Sequence, residues 1–213
     1  ARDAREHAIR WLAEWSPALA WIAAQHFIAE SRTGGAIDDA IAAVVGRHGD
    51  GLSNWVTGVA TRWFDSDGRA VAVNAAGAHG AGLDAAQPRR YALPAQVPGL
   101  RVDAEWVRAA LNLAIGNVRT LRARALDYAQ SRVQFRGDLR DVEGRESIAK
   151  FGAIKSMLAG IEQTLIALEG ARGDCERAPQ QVLALIRART GVRMDAVPWM
   201  AGQIFGGMAF SEE

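Results

Sequence analysis

Apolar positions recur with helical spacing through most of this chain. Residues 2–15, "RDAREHAIRWLAEW", alternate charged and apolar positions as an amphipathic helix does. Ser16-Pro17 then predicts a restart, with serine as N-cap and proline at the first helical position, where its missing N–H costs nothing. "ALAWIAAQHFIAE" continues as a mostly apolar helix that stops near Gly34-Gly35. A third helix is predicted over residues 36–49, "AIDDAIAAVVGRHG", again ending at glycine. The pattern changes over residues 51–100. There "WVTGVATRWFDSDGRAVAVNAAG" offers two short strand-like runs around the turn signal Asp67-Gly68. The Gly, Ala and Pro-rich "GAHGAGLDAAQPRRYALPAQVPGL" after it reads as close-packed loop.

Periodicity is strongest in the second half. Val107, Leu111, Ala114, Val118, Leu121, Ala125 and Tyr128 step by four and three, the seam of a long helix packed nearly antiparallel to others. Ile148, Phe151, Ile154, Leu158, Ile161, Leu165 and Leu168 repeat the pattern in a second helix, stopped by Gly170. "PQQVLALIRART", ending at Gly191, predicts a third. A fourth runs from near Asp195 to Gly206-Gly207, with Pro198 in its first turn. The expected fold class is mainly α: an up-and-down four-helix bundle over 101–213, an N-terminal helical region over 1–50, and a reduced middle segment of short strands over 51–100. Leu121, Tyr128, Phe151, Leu158 and Leu165 are expected in the bundle core.

Composition narrows the functional classes. Of the 213 residues, 49% are hydrophobic and 23% charged, and the formal net charge is +1, so no bulk field draws the chain to nucleic acid or anionic membrane. Cys175 is the only cysteine, which excludes an intrachain disulfide and a cysteine-cluster metal site. No stretch approaches the roughly 20 apolar residues of a membrane span. A reducing, cytoplasmic setting is the expectation.

Few residues point to chemistry on their own. The P-loop, HExxH, CxxC and GxSxG motifs are absent, and "GAHGAG" lacks dinucleotide spacing. His26, beside Gln25 on an apolar helix, reads as a core-edge histidine held by one hydrogen bond. Arg119, Arg122 and Arg124 lie off the apolar seam without interleaved aromatics, which suits a solvated or subunit-facing helix face better than phosphate binding. Arg132 closes the first long helix with Phe135 a turn on. A guanidinium there can pair a diphosphate bidentately while the ring packs on a nucleoside, although a helix-terminal arginine more often serves the C-terminal helix dipole alone.

Three segments together resemble one family. "YAQSRVQF" is similar to the Arg-x-x-Phe-Gly stretch opening the C-terminal helical domain of acyl-CoA dehydrogenases. "IAKFGAIKSMLAGIE" resembles the next helix of that domain, and "AVPWMAGQIFGGMAFSEE" resembles its Gln-x-x-Gly-Gly segment. The match runs from about residue 100 to the end, and "LAEWSPALAWIAAQHFIAE" more faintly resembles the N-terminal helices of the family. The resemblance implies a non-covalent FAD between subunits. Arg132 and Phe135 would meet its pyrophosphate and adenosine part, and Gln203, Gly206 and Gly207 the same part of the partner subunit's FAD. It implies an acyl-CoA thioester substrate, a homodimer or homotetramer, and electron-transfer flavoprotein as a possible redox partner. Two alternatives stay open: a non-catalytic helical scaffold subunit of the family, and a flavin-dependent oxidase or monooxygenase relative.

This chain also departs from the family pattern. Arg136 stands where the family has glycine, and the region matching the central β-domain shrinks to about fifty residues, below the usual size of a self-standing domain. Ungapped counting back from Arg132 puts Trp106 at one family position of the catalytic glutamate. Glu105 next door is rotated by about 100° around the helix. The expectation is that these 213 residues hold no competent dehydrogenase base, and that a glutamate beyond Glu213 or from a partner would be needed.

Overall fold

In the computed structural model, residues 2–47, 56–73, 88–89, 91–131, 133–134, 137–138, 149–156, 159–160, 163 and 196–205 are described. The chain divides into two compact units, Ala1–Leu113 and Ala114–Glu213. The fold is mainly α.

The first unit opens with α1 (Arg2–Trp15) and α2 (Pro17–Thr33). The Ser16 hydroxyl accepts from Leu19 N at 3.3 Å, and Pro17 opens α2, as the sequence predicts. Gly34 ends α2 in the left-handed region (φ 72°), its N–H bonded to Glu30 O. Ile9 and Ala13 of α1 meet Ala20, Ala24 and Ile28 of α2, spaced by four along one face.

Of the helix predicted over 36–49, residues 36–47 are described, and they are not helical. Ala42–Val44 form a strand, β1, paired in parallel with β3 (Arg62–Phe64) in the register Ala42–Arg62, Ala43–Trp63 and Val44–Phe64. Burial explains the correction. Ala42 and Val44 enter the helical core, whereas Ala43 and Val45 enter a second cluster with Ala60, Trp63, Tyr91 and Leu93. A segment buried alternately on two sides satisfies the strand period of two, and tertiary burial overrides the helix propensity of alanine.

Between β1 and β3 in sequence comes β2 (Val56–Thr57), which pairs antiparallel with β4 (Pro88–Arg89) in a separate sheet. The turn expected at Asp67-Gly68 is present. Asp65 Oδ1 accepts from the N–H groups of Asp67 and Arg69, both at 2.9 Å, and Gly68 N donates to Asp65 O. Past the turn, Val71 N returns to Trp63 O at 2.8 Å. Gly68 has φ 81°, and a Cβ there would lie 2.2 Å from Arg32 O, so only glycine lets this turn abut the end of α2.

The helix α3 (Ala104–Ser131) spans the seam read from the sequence. Asp103 caps it, Oδ1 accepting from Glu105 N and Trp106 N while its other oxygen pairs with Arg32. In the second unit Val118 and Ile154 pack with Leu121 and Met200; a layer on, Ala125 and Ile204 pack with Tyr128, Phe151 and Phe205. These layers join α3, the helical residues 149–156 and α4 (Ala196–Phe205). Leu121, Tyr128 and Phe151 are in those layers but half-buried rather than buried, because each lies at the edge of a small cluster. Two-residue strands β5 (Val133–Gln134) and β6 (Gly137–Asp138) form an antiparallel ladder beyond α3 that the sequence reading does not foresee. Leu158, Leu165 and the predicted helix ending at Gly191 lie outside the described residues.

Candidate functional site

Of the five residues expected at FAD, Gln203 is the one described. Arg132, Phe135, Gly206 and Gly207 lie outside the described residues. Gln203 is exposed on the last turn of α4, between the buried Ala201 and Ile204 that hold the helix to its unit. Trp199, 66% exposed, stands one turn earlier on the same face. An amide and an indole side by side on an open helix face can hydrogen-bond and stack with a nucleotide or its surroundings. Trp199, which spacing alone does not single out, shares that open face with Gln203.

The first unit holds a cleft of about 390 Å³ among α1, α2 and the first turns of α3. Its floor is apolar: Ile9, Ala24, Ile28 and Ala109. Charged groups line the rest. Arg108, 4% exposed, donates from Nε to Glu6 Oε1 at 3.2 Å. Arg5 pairs with Glu30 at 2.8 Å, and its guanidinium carbon lies 5.6 Å from the centre of the Phe27 ring, over its face. Glu105 completes the lining from the first turn of α3, 4.0 Å from Arg32. Of the three α3 residues that line this cleft, Glu105 is the one nearest the helix N-terminus.

Trp106 faces elsewhere. It is buried in the helical core, its ring 6.2 Å from that of Trp21. The rotation of about 100° between neighbours thus separates a core indole from a cleft carboxylate. His26 is the core-edge histidine expected: Nδ1 accepts from Ala42 N at 3.3 Å, and Nε2 lies 3.5 Å from Glu30. Arg124 is exposed, but Arg119 and Arg122 are half-buried, so the face they share is only partly solvated. No group of three or more metal-ligating side chains occurs among the described residues, and no helix among them is long and apolar enough to cross a membrane.

Sequence reasoning missed the polar lining of the cleft. The available signal was Arg108 and Asn112, each beside a residue of the apolar seam, Val107 or Leu111. A polar side chain on the inward side of an amphipathic helix needs a partner there.

No family model and no curated protein sequence matches the chain. Its fold is similar to that of FkbI, described as for biosynthesis of the methoxymalonyl extender unit of the Fk520 polyketide immunosuppressant. The superposition has a TM-score of 0.58 at 17% identity and covers 97% of this chain and 74% of FkbI. At that identity the likeness is one of fold.

Proposed function

We propose that this chain is an acyl-CoA dehydrogenase-like flavoprotein. One observation carries the reading: the likeness to FkbI, an acyl-CoA dehydrogenase-family enzyme, extends over 97% of the chain. It thus takes in the first unit, where the motif resemblance is faint, as well as the second, where three motifs occur in family order.

Arg132, Phe135, Gln203, Gly206 and Gly207 would hold FAD, from two subunits of a homo-oligomer. The arginine supplies charge-assisted hydrogen bonds to the diphosphate, Phe135 and Gln203 contact the nucleoside end, and the two glycines let backbone N–H groups approach phosphate. When bound, FAD accepts the hydride that an acyl-CoA thioester loses from its β-carbon as the α-proton leaves. The protein would orient the thioester and keep water from the reacting carbons. Trp106 cannot take the α-proton, because an indole carries no basic group.

That same tryptophan favours a second reading, a non-catalytic scaffold subunit. A buried indole packed on Trp21 stabilises the core where the family pattern has a carboxylate. Incubation with FAD followed by an acyl-CoA turnover assay with an artificial electron acceptor separates the two. Flavin binding with acyl-CoA-dependent reduction of the acceptor supports the dehydrogenase; a folded protein that binds neither supports the scaffold.

A further inference from the structure

We propose that the elbow between α1 and α2 is an interface at which a second copy of this chain docks. The observation is a joined aromatic surface that the core does not use. Trp11 and Trp15 stand one turn apart on α1, their rings 6.2 Å apart and tilted by 55°, and they are 54% and 72% exposed. Leu19, near the start of α2, is 53% exposed, and Pro17 is exposed as well. On the opposite side of α1, Ile9 and Ala13 are buried against α2. Single exposed hydrophobic residues are ordinary, whereas two packed indoles beside a leucine mark a surface that meets something. The elbow is also held firmly. Its one-residue link, Ser16, donates from N to Leu12 O at 2.7 Å, accepts at O from Ala20 N at 3.0 Å, and caps Leu19 N with its hydroxyl. A surface fixed in this way loses little freedom on docking.

Charge defines the kind of partner. Arg5 pairs with Glu30, Glu6 with Arg108 and Arg10 with Asn112, all inside the chain, and Glu14 is half-buried. His7 is the exposed titratable side chain among the described residues of α1. The surface therefore suits a neutral, aromatic partner better than an anionic one. A second copy brings such a surface by symmetry. Residues four apart lie about 40° apart around a helix and about 6 Å apart along it. Two α1 helices meeting antiparallel thus set each Trp11 against the partner's Trp15, the reciprocal pattern of a twofold interface. The area agrees. With about 250 Å² to a tryptophan, the exposed parts of Trp11, Trp15 and Leu19 come to roughly 400 Å². Two copies would cover about 800 Å² with these side chains alone, most of the roughly 1,000 Å² that a specific pair needs, and Pro17 and the rim extend it.

Sedimentation velocity of the full chain, with and without FAD, tests this. The unaltered chain should show an association step with a micromolar dissociation constant that does not depend on FAD. Trp15→Glu and Leu19→Glu should each raise that constant at least about tenfold, the loss expected at an interface anchor, with unfolding midpoint and FAD binding unchanged. Trp11→Lys should act alike. Mixing Trp11→Lys with Trp15→Glu should restore association, because the lysine of one copy then faces the glutamate of the other while the remaining indoles still pair. Association that ignores both Trp15→Glu and Leu19→Glu overturns the proposal, as does a mixture no better than its single variants. Tryptophan-dependent binding of an unassociated chain to phosphatidylcholine vesicles would assign the elbow to a lipid surface and overturns it too. Flavin binding is read separately on each variant, so this interface and the flavoprotein reading fail independently.

Discussion

Arg10 donates to Asn112 Oδ1 from both Nε and Nη2, at 3.0 and 2.6 Å, across 102 residues of sequence. Asn112 is fully buried, and its own Nδ2 bonds the carbonyl of Arg108 one turn back. One amide therefore ties α1 to α3 beside the cleft, and each of its polar ends is used. Asn112→Leu keeps the branched shape but leaves a half-buried guanidinium without its acceptor. Urea unfolding should show a loss of about 2–3 kcal/mol, the range for a charged hydrogen bond. A change within about 0.5 kcal/mol, the scatter of ordinary surface substitutions, would mean that Arg10 finds an equal partner elsewhere.

Gly68 tests the packing of the Asp65–Arg69 turn on α2. Alanine there meets two penalties, the positive φ and a Cβ placed against the carbonyl of Arg32. Gly68→Ala should cost about 2 kcal/mol or more in thermal or urea unfolding. Gly35→Ala is the control, since a Cβ at Gly35 meets nothing within 4 Å.

Gln25 makes the opposite prediction. It is completely buried, and neither of its amide atoms has a hydrogen-bond partner among the described residues. Leaving a buried polar group unpaired costs about 1–3 kcal/mol, so Gln25→Met should raise the unfolding free energy by about 1 kcal/mol. A loss of stability in Gln25→Met would show that an internal water or a bound group satisfies the amide.

The sequence made the long regular elements readable because their burial is one-sided. Ile9, Ala13, Val107, Leu111 and Val118 all fall on single helical faces, and Ser16, Pro17 and Gly34 mark ends by local chemistry that needs no tertiary partner. Residues 42–45 are not legible as a strand in the sequence because an unbroken apolar run has no period of its own. What makes it a strand is the pair of clusters that cover its two sides, and those come from Trp63, Tyr91 and α2, distant in sequence. The cleft was hidden for a related reason. Glu6 and Arg108 look like ordinary helix charges until α1 and α3 bring them within 3.2 Å.

On the cofactor side, Arg132→Ala should weaken FAD binding by about 2 kcal/mol, a charge-assisted hydrogen bond's worth. Arg132→Lys should recover only part of it, because an ammonium cannot bind a diphosphate as a planar fork does. Gln203→Ala and Trp199→Ala, on the open face of α4, should weaken binding without changing the unfolding midpoint. Weakening by Gln203→Ala that tracks a loss of fold would remove Gln203 from the cofactor site.

The most direct measurement is a titration of the purified chain with FAD, followed by gel filtration and an absorption spectrum of the protein peak. The expected result is a yellow, oligomeric protein carrying about one flavin per chain, with its flavin band perturbed on addition of an acyl-CoA. A folded but colourless protein peak, with FAD eluting free at every protein concentration, would contradict it.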